Sequence, residues 1–351
     1  KGLVAGAVVR RPMPPFASVG GPAREIDPDK LMTVVREVLH EVSTTCPDVD
    51  EIWMTGQMAS IAFTDSSGDA IAPIISWQDL RGGSVERTAH ALGEEQVAKL
   101  GDHLRPELPL VRLSGLRPPL GAHVSSLLGF VASSLCILRP RVVHATDAAA
   151  WGVVDIDRMR WLQPAVAHIG ITTDRLPDIT SRLVPLGREV VLGARVMVAV
   201  GDQQTSLLGA SIGIEPFIGT VSVNLATGGQ VSVVSRERAS RCQTRPYFGG
   251  RWLHTVTHLP AGRLLTAAVR SEFGGATPAD WAVAADSRDP DGPVSAAVET
   301  IAGAVNSAIR RLGAVSRPLR FSGGLVQKFH PLRRMIIEVV EAPNTTFDGE
   351  D

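Results

Sequence analysis

An aspartate that follows an apolar stretch is the strongest candidate for chemistry in this sequence. Residues 196–200 are continuously apolar, and Gly201 and Asp202 come directly after them. A carboxylate at the carboxyl end of a buried strand can be held rigidly toward a cleft, where it can act as a general base on a substrate hydroxyl. The alternative is that Asp202 caps a helix over residues 203–212. The local sequence leaves both interpretations open.

Two glycine turns in the second half of the chain are candidates for binding phosphate or nucleotide. Thr227 and Gly228 lie in a Thr-Gly-Gly turn that offers a hydroxyl and backbone N–H groups, which suit a phosphate. Gly323 and Gly324 follow a predicted strand, and their missing side chains would let a nucleotide lie against the backbone. The alternatives are an ordinary hairpin turn and a tight strand-to-helix turn.

Two short motifs in the first half carry residues that favour a sugar. Gln57 and Met58 follow a predicted strand, and Trp77, Gln78 and Asp79 are consecutive. An indole face stacks on the C–H face of a sugar, while an amide and a carboxylate bond its hydroxyls. The alternatives are a core aromatic side chain and a salt-bridged carboxylate.

The element pattern predicts two α/β units in series, with boundaries at residues 1–195 and 196–351. Strands alternate with helices in each unit, and the glycine turns follow strands, where α/β proteins place ligands. Asp27 is predicted to cap the first helix. The other predicted elements are strands over 1–10, 51–55, 61–64, 196–200, 219–224, 230–234, 251–256 and 319–321, and helices over 31–42, 294–312 and 324–340.

Composition excludes several classes of protein. The chain has 351 residues, 44% hydrophobic, and a net charge of −1, which gives no basis for a general nucleic-acid binder. Its three cysteines are far apart, so a disulfide framework is not expected. The expected location is therefore the reducing cytoplasm. The uncharged residues 118–138 contain too short an apolar core to span a membrane, and a buried helix is expected there. No P-loop motif occurs, and no histidines have metal-ligand spacing, so no metal ligand is predicted.

Taken in chain order, these motifs resemble those of the FGGY carbohydrate kinases, and within them most closely the sedoheptulokinases. The resemblance covers most of the chain, and its motifs are weak singly but specific in this order. They are Gly-Gln-Met at 56–58, Trp-Gln-Asp at 77–79, Asp147 before Ala-Ala-Trp-Gly, Gly-Asp-Gln-Gln at 201–204, the Thr-Gly turn at 227–228 and Gly-Gly at 323–324. The resemblance implies an α/β protein of two actin-like, ribonuclease-H-like domains of the actin/hexokinase/Hsp70 superfamily around an interdomain cleft.

The resemblance also implies an activity and roles for individual residues. An ATP-dependent kinase would phosphorylate a ketose or related sugar, sedoheptulose-like, with Asp202 as the general base and Mg²⁺ bridging the ATP phosphates. Sugar and ATP would be its small-molecule partners, with a homodimer possible and neither nucleic acid nor membrane expected. The implied sugar-binding residues, in the N-terminal domain and beside Asp202, are Gln57, Met58, Trp77, Gln78, Asp79, Asp147 and Gln203. The implied nucleotide-binding residues, in the C-terminal domain, are Thr227, Gly228, Gly262, Gly323 and Gly324.

The chain departs from the family pattern at several places. It contains neither the Asp-Gly-Thr-Thr phosphate loop with its Mg²⁺-associated aspartate nor the Gly-Glu-Arg loop of the second domain, and it stops where the family's last helix begins. Ala59 stands where the family usually has a histidine or another polar residue. Either the sequence is part of a longer chain that contains these segments, or the protein is a reduced family member. The missing phosphate loop motivates a second hypothesis, a catalytically degenerate member that binds sugar or nucleotide without phosphoryl transfer. A third alternative is another superfamily member, such as a phosphohydrolase or an acyl-group kinase.

Overall fold

The protein forms two compact units in a computed structural model, and each is described by itself. The units are Lys1–Thr205 and Ser206–Asp351. The described residues are 6, 8–17, 21–46, 48–101, 104–210, 218–239, 242–286, 289–341 and, for the backbone, 345–347. The strand predicted over residues 1–10 lies mostly outside them.

The first unit is built from short strands and helices in alternation. Its elements are β1 (Glu25–Ile26), α1 (Pro28–Thr45), β2 (Glu51–Ile52), β3 (Thr55–Gly56), β4 (Ile61–Thr64), β5 (Ile74–Ile75), α2 (Val85–Leu92), α3 (Glu94–Lys99), α4 (Pro109–Gly115), β6 (His123–Ser126), α5 (Leu127–Leu135), β7 (Val142–His144), α6 (Ala145–Ala148), β8 (Val154–Asp155), β9 (Arg160–Trp161), α7 (Gln163–His168), β10 (Asp178–Thr180), β11 (Pro185–Arg188), β12 (Arg195–Met197) and β13 (Val200–Gly201). Helix α8 (Asp202–Gly209) begins in this unit and continues into the second.

Strand pairing in the first unit combines antiparallel and parallel ladders. An antiparallel sheet has the order β1-β5-β4-β6. Strands β12 and β13, late in the chain, pair in parallel with β2 and β3 near its start. These long-range pairs hold residues 196–201 in the first unit, whereas the boundary predicted from the sequence placed them in the second domain. The division into a sugar-binding and a nucleotide-binding domain stays a prediction.

Helix α1 illustrates how the local sequence determines an element of the first unit. The Asp27 carboxylate accepts hydrogen bonds from the backbone N–H groups of Asp29 and Lys30, at 3.0 and 3.2 Å, and Pro28 occupies the first turn. Leu31 and Met32 are buried against the core. The predicted cap and helix are therefore confirmed.

The second unit is a mixed sheet covered by helices. Its elements are β14 (Val221–Leu225), β15 (Gly229–Ser235), β16 (Gln243–Tyr247), β17 (Arg251–Leu259), α9 (Gly262–Phe273), α10 (Pro278–Asp286), α11 (Pro293–Arg311), β18 (Leu319–Ser322), α12 (Gly324–Lys328), α13 (His330–Val340) and β19 (Thr345–Phe347). The strand order is β16-β17-β15-β14-β18-β19, with β14, β18 and β19 parallel. The hairpin predicted around Thr227 is formed by β14 and β15.

Helix α11 supplies much of the core of the second unit. Its apolar residues recur at helical spacing, and Val298, Ile301 and Val305 are each at most 5% exposed against the sheet. The helix ends at Arg311, two residues before Gly313, which has a φ of 62°. The predicted amphipathic helix is thus confirmed.

Two predicted elements differ from the structure. The apolar stretch at 196–200 forms two short strands, because β12 and β13 follow different partner strands. The helix predicted over 324–340 breaks at Phe329 into α12 and α13. Pro331 has no backbone N–H to continue the helical hydrogen bonding, so the first helix stops and α13 begins at His330.

The uncharged segment at 118–138 forms β6 and α5. Helix α5 has 9 residues, and its buried side chains include Leu128, Phe130 and Val131. Among the described helices, none combines the length and the apolar character that a membrane span requires. The buried helix predicted here is confirmed.

Candidate functional site

Two parallel strands bring Asp202 next to Gln57 in the first unit. Thr55 lies opposite Val200 and Gly56 opposite Gly201 in the β3–β13 register, so the next residues, Gln57 and Asp202, leave the same sheet edge. Asp202 is exposed and opens helix α8, where its carboxylate accepts from the Gln203 N–H at 2.8 Å. A carboxylate that is both fixed by backbone and open to solvent can accept a proton from a hydroxyl group.

Met58 packs against the peptide that precedes Asp202. A Cβ atom built on Gly201 would lie 2.4 Å from the Met58 sulfur and 2.8 Å from Oε1 of Gln204. Only glycine fits at this position without moving its neighbours. The Gly-Gln-Met and Gly-Asp-Gln-Gln motifs are therefore in direct contact.

Asp147 lies buried close to Asp202. It is 1% exposed, and its Oδ2 accepts from the Ser126 hydroxyl at 2.5 Å. Its Oδ1 has no hydrogen-bond partner among the described residues. Burial, together with the nearby charge of Asp202, raises the pKa of Asp147 to about 7 although the Ser126 bond opposes this. Asp147 is therefore protonated at mildly acidic pH, and its Oδ1 is left without a hydrogen-bond partner among the described residues.

A short hydrogen-bond chain fixes the backbone behind Asp202. The Gly201 N–H donates to the Thr146 hydroxyl at 3.1 Å, and that hydroxyl lies 2.8 Å from Nδ1 of His144. The Thr146 N–H also donates to Nδ1, at 3.2 Å, so Nδ1 is the acceptor and the hydroxyl donates to it. Burial lowers the pKa of His144 to about 4, which keeps the imidazole neutral at pH 7. The peptide that precedes the candidate base, Asp202, is thus held in place by hydrogen bonds.

Trp77 and Gln78 lie at an exposed turn after β5. The Trp77 side chain is 43% exposed, and Gln78 is also exposed. The backbone N–H of Trp77 donates to the Ser60 hydroxyl at 3.0 Å, which ties this turn to the segment after Met58. Both side chains are accessible to a ligand, as the sugar-binding prediction requires.

Asp79 has a different environment from its neighbours in the motif. It is 1% exposed and accepts hydrogen bonds from the Arg24 N–H at 2.8 Å and from the backbone and guanidinium of Arg81. Arg81 also pairs with Glu25 at 2.6 Å. Burial alone would raise the pKa of Asp79, but these hydrogen bonds lower it below its usual value. The structure thus shows the salt-bridged carboxylate that was the alternative interpretation of this motif. A contact of Asp79 with sugar stays a prediction.

Three backbone segments of the second unit meet at glycines. A Cβ atom on Gly262 would lie 2.4 Å from the carbonyl oxygen of Ala226, and one on Gly323 would lie 2.5 Å from that of Leu225. Gly323 has a φ of 93°, which disfavours any other residue. The Arg263 N–H donates to the Thr227 carbonyl at 3.1 Å. The predicted nucleotide-binding glycines therefore join the β14–β15 turn to the starts of α9 and α12.

A cavity of about 990 Å³ opens beside these segments, within the second unit. Thr227, Gly262 and Gly324 line it, whereas Gly228 and Gly323 are not among its lining residues. This volume is in the range of small-molecule and cofactor sites. Three of the five predicted nucleotide-binding residues therefore line a single cavity.

The cavity lining is positively charged. Arg263, Arg270 and Lys328 line it, no aspartate or glutamate does, and none of the three cations has an acidic partner in the described part of the chain. Trp281 adds an aromatic wall and packs edge-on against Phe329, with ring centroids 5.7 Å apart. Such a lining suits an anionic ligand that carries a flat ring.

Sequence reasoning missed several of the residues that build these sites. Arg263 and Arg270 are seven residues apart on one helix, which places them on the same face and could have indicated a basic face. Arg112 is the single cation in the apolar stretch at 108–113, a signal for a buried charge. Ser126 and Thr146 carried no local signal, because they reach Asp147 and Gly201 through tertiary contacts.

The comparison with sequences of known proteins points to sugar kinases. No protein-family model matches the chain. It is 24% identical over 223 residues to a gluconokinase of Bacillus licheniformis, covering 60% of this chain and 42% of that protein. It is 28% identical over 201 residues to a glycerol kinase of Methylibium petroleiphilum, covering 51% and 39%. The matches thus span about two fifths of the length of these curated relatives.

Solved structures show the fold. A xylulose kinase from Rhodospirillum rubrum superposes with a TM-score of 0.83 at 19% identity, over 97% of this chain and 81% of that one. A Plasmodium falciparum glycerol kinase with ADP gives 0.78 at 15% identity, over 93% and 78%. The chain has the fold of the FGGY sugar kinases. The predicted fold class, an α/β protein of two actin-like domains, is confirmed.

Proposed function

We propose that the protein is an ATP-dependent carbohydrate kinase that transfers the γ-phosphoryl group of ATP to a hydroxyl group of a sugar. The first unit would supply the sugar site and the base, and the second unit the nucleotide site. The sugar kinases found by both comparisons support this proposal.

The observation that carries the proposal is the cationic cavity of the second unit. A nucleoside triphosphate is a polyanion with a flat base, and Arg263, Arg270 and Lys328 together with Trp281 offer what each part needs. The Thr-Gly turn and the glycines at 262 and 324 leave backbone open beside these cations. The structurally similar glycerol kinase of Plasmodium falciparum was solved with ADP.

In the proposed reaction, Asp202 is the general base. Its carboxylate accepts the proton of the sugar hydroxyl while that oxygen bonds to the γ-phosphorus, and the bond from phosphorus to the β–γ bridging oxygen breaks to release ADP. The backbone bond from Gly201 to Thr146 and the Met58 contact hold Asp202 in place. Asp147, whose pKa is raised to about 7, would be protonated below neutral pH and could then donate a hydrogen bond to a sugar oxygen.

Mg²⁺ would enter this site with the nucleotide. The described residues contain no group of three or more histidine, cysteine, aspartate or glutamate side chains that could hold a metal ion. Mg²⁺ usually keeps several water ligands and binds through substrate phosphates with one or two carboxylates. This mode of binding does not require a cluster of three protein ligands. Bound in this way, it would neutralise charge on the transferring phosphoryl group.

We propose a ketose or related polyol as the sugar, with a sedoheptulose-like heptose as the specific candidate from the motif resemblance. An exposed indole at position 77 and an amide at position 78 suit a ligand with a C–H face and many hydroxyls. A cytoplasmic location is part of the same proposal and rests on the cysteine usage of the sequence.

The test is an ADP-coupled screen of the full natural chain against sedoheptulose, xylulose, ribulose, gluconate, glycerol and cyclitols. We expect sugar-dependent ADP release with at least one ketose. Sugar-independent release would instead support a phosphohydrolase. Binding of ADP by calorimetry without turnover on any acceptor would contradict the kinase and support a degenerate binding protein.

A further inference from the structure

A buried arginine bonds the backbone beside the two predicted sugar-binding motifs of the first unit. Arg112 on helix α4 is 1% exposed. Its guanidinium donates through one terminal nitrogen to the carbonyl of Ala59 and through the other to the carbonyl of Ser76. Ala59 directly follows Gln57 and Met58, and Ser76 directly precedes Trp77 and Gln78. One side chain therefore bonds the backbone of both motifs.

The Ala59 carbonyl belongs to a strained residue. Ala59 has a φ of 64°, in the left-handed region, although it carries a Cβ atom. Such a conformation is unfavourable for a residue with a Cβ atom and persists where surrounding contacts determine it. The bond from Arg112 is one of these contacts, and it is made at the end of the Gln57–Met58 segment.

A second contact joins the backbone segments of the same two motifs. The Trp77 N–H donates to the Ser60 hydroxyl at 3.0 Å, and the Gln78 N–H lies 3.3 Å from the Ser76 hydroxyl. The Trp77 bond therefore links the start of the Trp77–Gln78 turn to the residue that follows Ala59, next to the carbonyl that Arg112 bonds.

The backbone of Arg112 is itself fixed to the turn that follows Asp79. The Gly83 N–H donates to the Val111 carbonyl at 2.9 Å. A Cβ atom on Gly82 would lie 2.6 Å from the Cα atom of Arg112, and one on Gly115 would lie 2.3 Å from the carbonyl carbon of Gly82. Since no side chain separates these backbones, helix α4 and the turn are packed directly against each other.

The charge of Arg112 is retained despite its burial. Burial lowers its pKa to about 10, while the charges of Asp79 and Glu107 oppose that shift, so it is protonated at neutral pH. In the described structure it bonds carbonyl oxygens rather than a carboxylate, and its Nε has no partner. A buried charge in this state is weak evidence for a contribution to stability, and it points to a role in fixing geometry.

We propose that Arg112 is a positioning residue that sets the spacing of the two sugar-facing motifs and thereby controls sugar binding without touching the sugar. The inference rests on the proposed sugar kinase function. A guanidinium can fork to two carbonyls, whereas an ammonium is a single point donor, so lysine preserves the charge but only part of the geometry.

The test uses Arg112→Lys and Arg112→Met in the full natural chain. We expect the KM for the sugar to rise about tenfold in Arg112→Lys and more in Arg112→Met, while the KM for ATP stays within twofold of wild type. Hydrogen exchange followed by mass spectrometry is expected to be faster in both variants for peptides covering residues 55–60 and 74–79, and unchanged in the second unit.

Arg141 provides a matched control. It also donates to two backbone carbonyls, of Asp174 at 3.2 Å and of Leu176 at 3.1 Å, but it ties segments outside the sugar-facing motifs. Arg141→Lys is expected to leave the sugar KM and the exchange of both peptides unchanged. Unchanged exchange at 55–60 and 74–79 in both Arg112 variants would overturn the proposal, as would equal rises in the KM values of sugar and ATP.

Failure of the proposed function gives a different result. If the wild-type chain phosphorylates none of the acceptors, the kinase proposal fails, and the exchange measurement then decides the positioning role by itself. If Arg112→Met does not fold, the sugar KM and the hydrogen exchange of Arg112→Lys decide the proposal.

Discussion

The candidate sugar site and the candidate nucleotide cavity satisfy their polar groups in opposite ways. In the first unit, Asp79 and Arg112 are buried and bonded to protein groups that hold the exposed motifs in place. In the second unit, Arg263 and Arg270 line a cavity and have no acidic partner among the described residues. The first arrangement fixes the geometry before a ligand arrives, and the second keeps charge available for one. This difference suits a neutral sugar, which is recognised by shape and direction, and an anionic nucleotide, which is recognised by charge.

The largest expected effect comes from removing the proposed base. Asp202→Asn is expected to lower kcat by roughly 10²–10⁴-fold, the usual contribution of general acid–base catalysis. The midpoint of urea unfolding should change little, because Asp202 is exposed. Steady-state kinetics with the best acceptor measure the effect. Asp178→Asn, an exposed aspartate on β10, is the control and should be silent. Wild-type turnover in Asp202→Asn would exclude the role of base.

The fixed arrangement in the first unit predicts a loss of stability when its ion pair is broken. Asp79→Asn is expected to lower the free energy of unfolding at pH 7 by about 1–3 kcal/mol, since it removes the partner of the half-buried Arg81 and of the Arg24 N–H. The pKa of Asp79 is lowered in the folded state, so its stabilisation is present above about pH 4 and is lost as the pH falls through the folded pKa.

Urea unfolding at several pH values measures this effect. The difference between wild type and Asp79→Asn should shrink below pH 4. The exposed aspartate at position 29 of α1 offers a control, since Asp29→Asn should leave the midpoint nearly unchanged. A difference that is the same at pH 7 and at pH 3 would contradict the ion-pair explanation.

The open charge of the second unit predicts weaker nucleotide binding when one cation is removed. Arg270→Ala is expected to raise the Kd for ADP about tenfold, which corresponds to about 1.4 kcal/mol, and to reduce the dependence of binding on salt. Titration calorimetry at two ionic strengths measures both. Arg310→Ala, near the end of α11 and absent from the cavity lining, is the control. Unchanged ADP affinity in both Arg270→Ala and Arg263→Ala would exclude the cavity as the nucleotide site.

The last expected effect concerns the pH dependence of stability that the buried carboxyl of Asp147 causes. Its pKa is raised to about 7, so the folded state binds its proton more tightly than the unfolded state does. This group therefore costs stability progressively as the pH rises from about 4 to about 7. Asp147→Asn should remove that cost and stabilise the protein more at pH 8 than at pH 5, relative to wild type. Equal urea midpoint shifts at the two pH values would contradict the raised pKa.

Local patterns predicted many of the elements and the order of the site motifs. The cap at Asp27, the apolar repeat of α11 and the hairpin around Thr227 depend on neighbouring residues, so they can be read from the chain. The sequence pattern predicted one continuous helix over residues 324–340. The structure has a break at Phe329, because Pro331 cannot continue the helical hydrogen bonding. The division of the apolar stretch at 196–200 was missed because two partner strands decide it.

The sequence by itself determined which residue types stand after the strands, and therefore which chemistry is available: a carboxylate at 202, an indole at 77 and glycines at 262 and 324. Only the tertiary structure decided how they are used. Parallel pairing of β3 with β13 joins residues almost 150 positions apart, which places Gln57 beside Asp202. Burial turned Asp79 into an ion-paired anchor and gave Asp147 a pKa of about 7. Desolvation and long-range pairing depend on which surfaces meet after folding, and no local pattern contains that information.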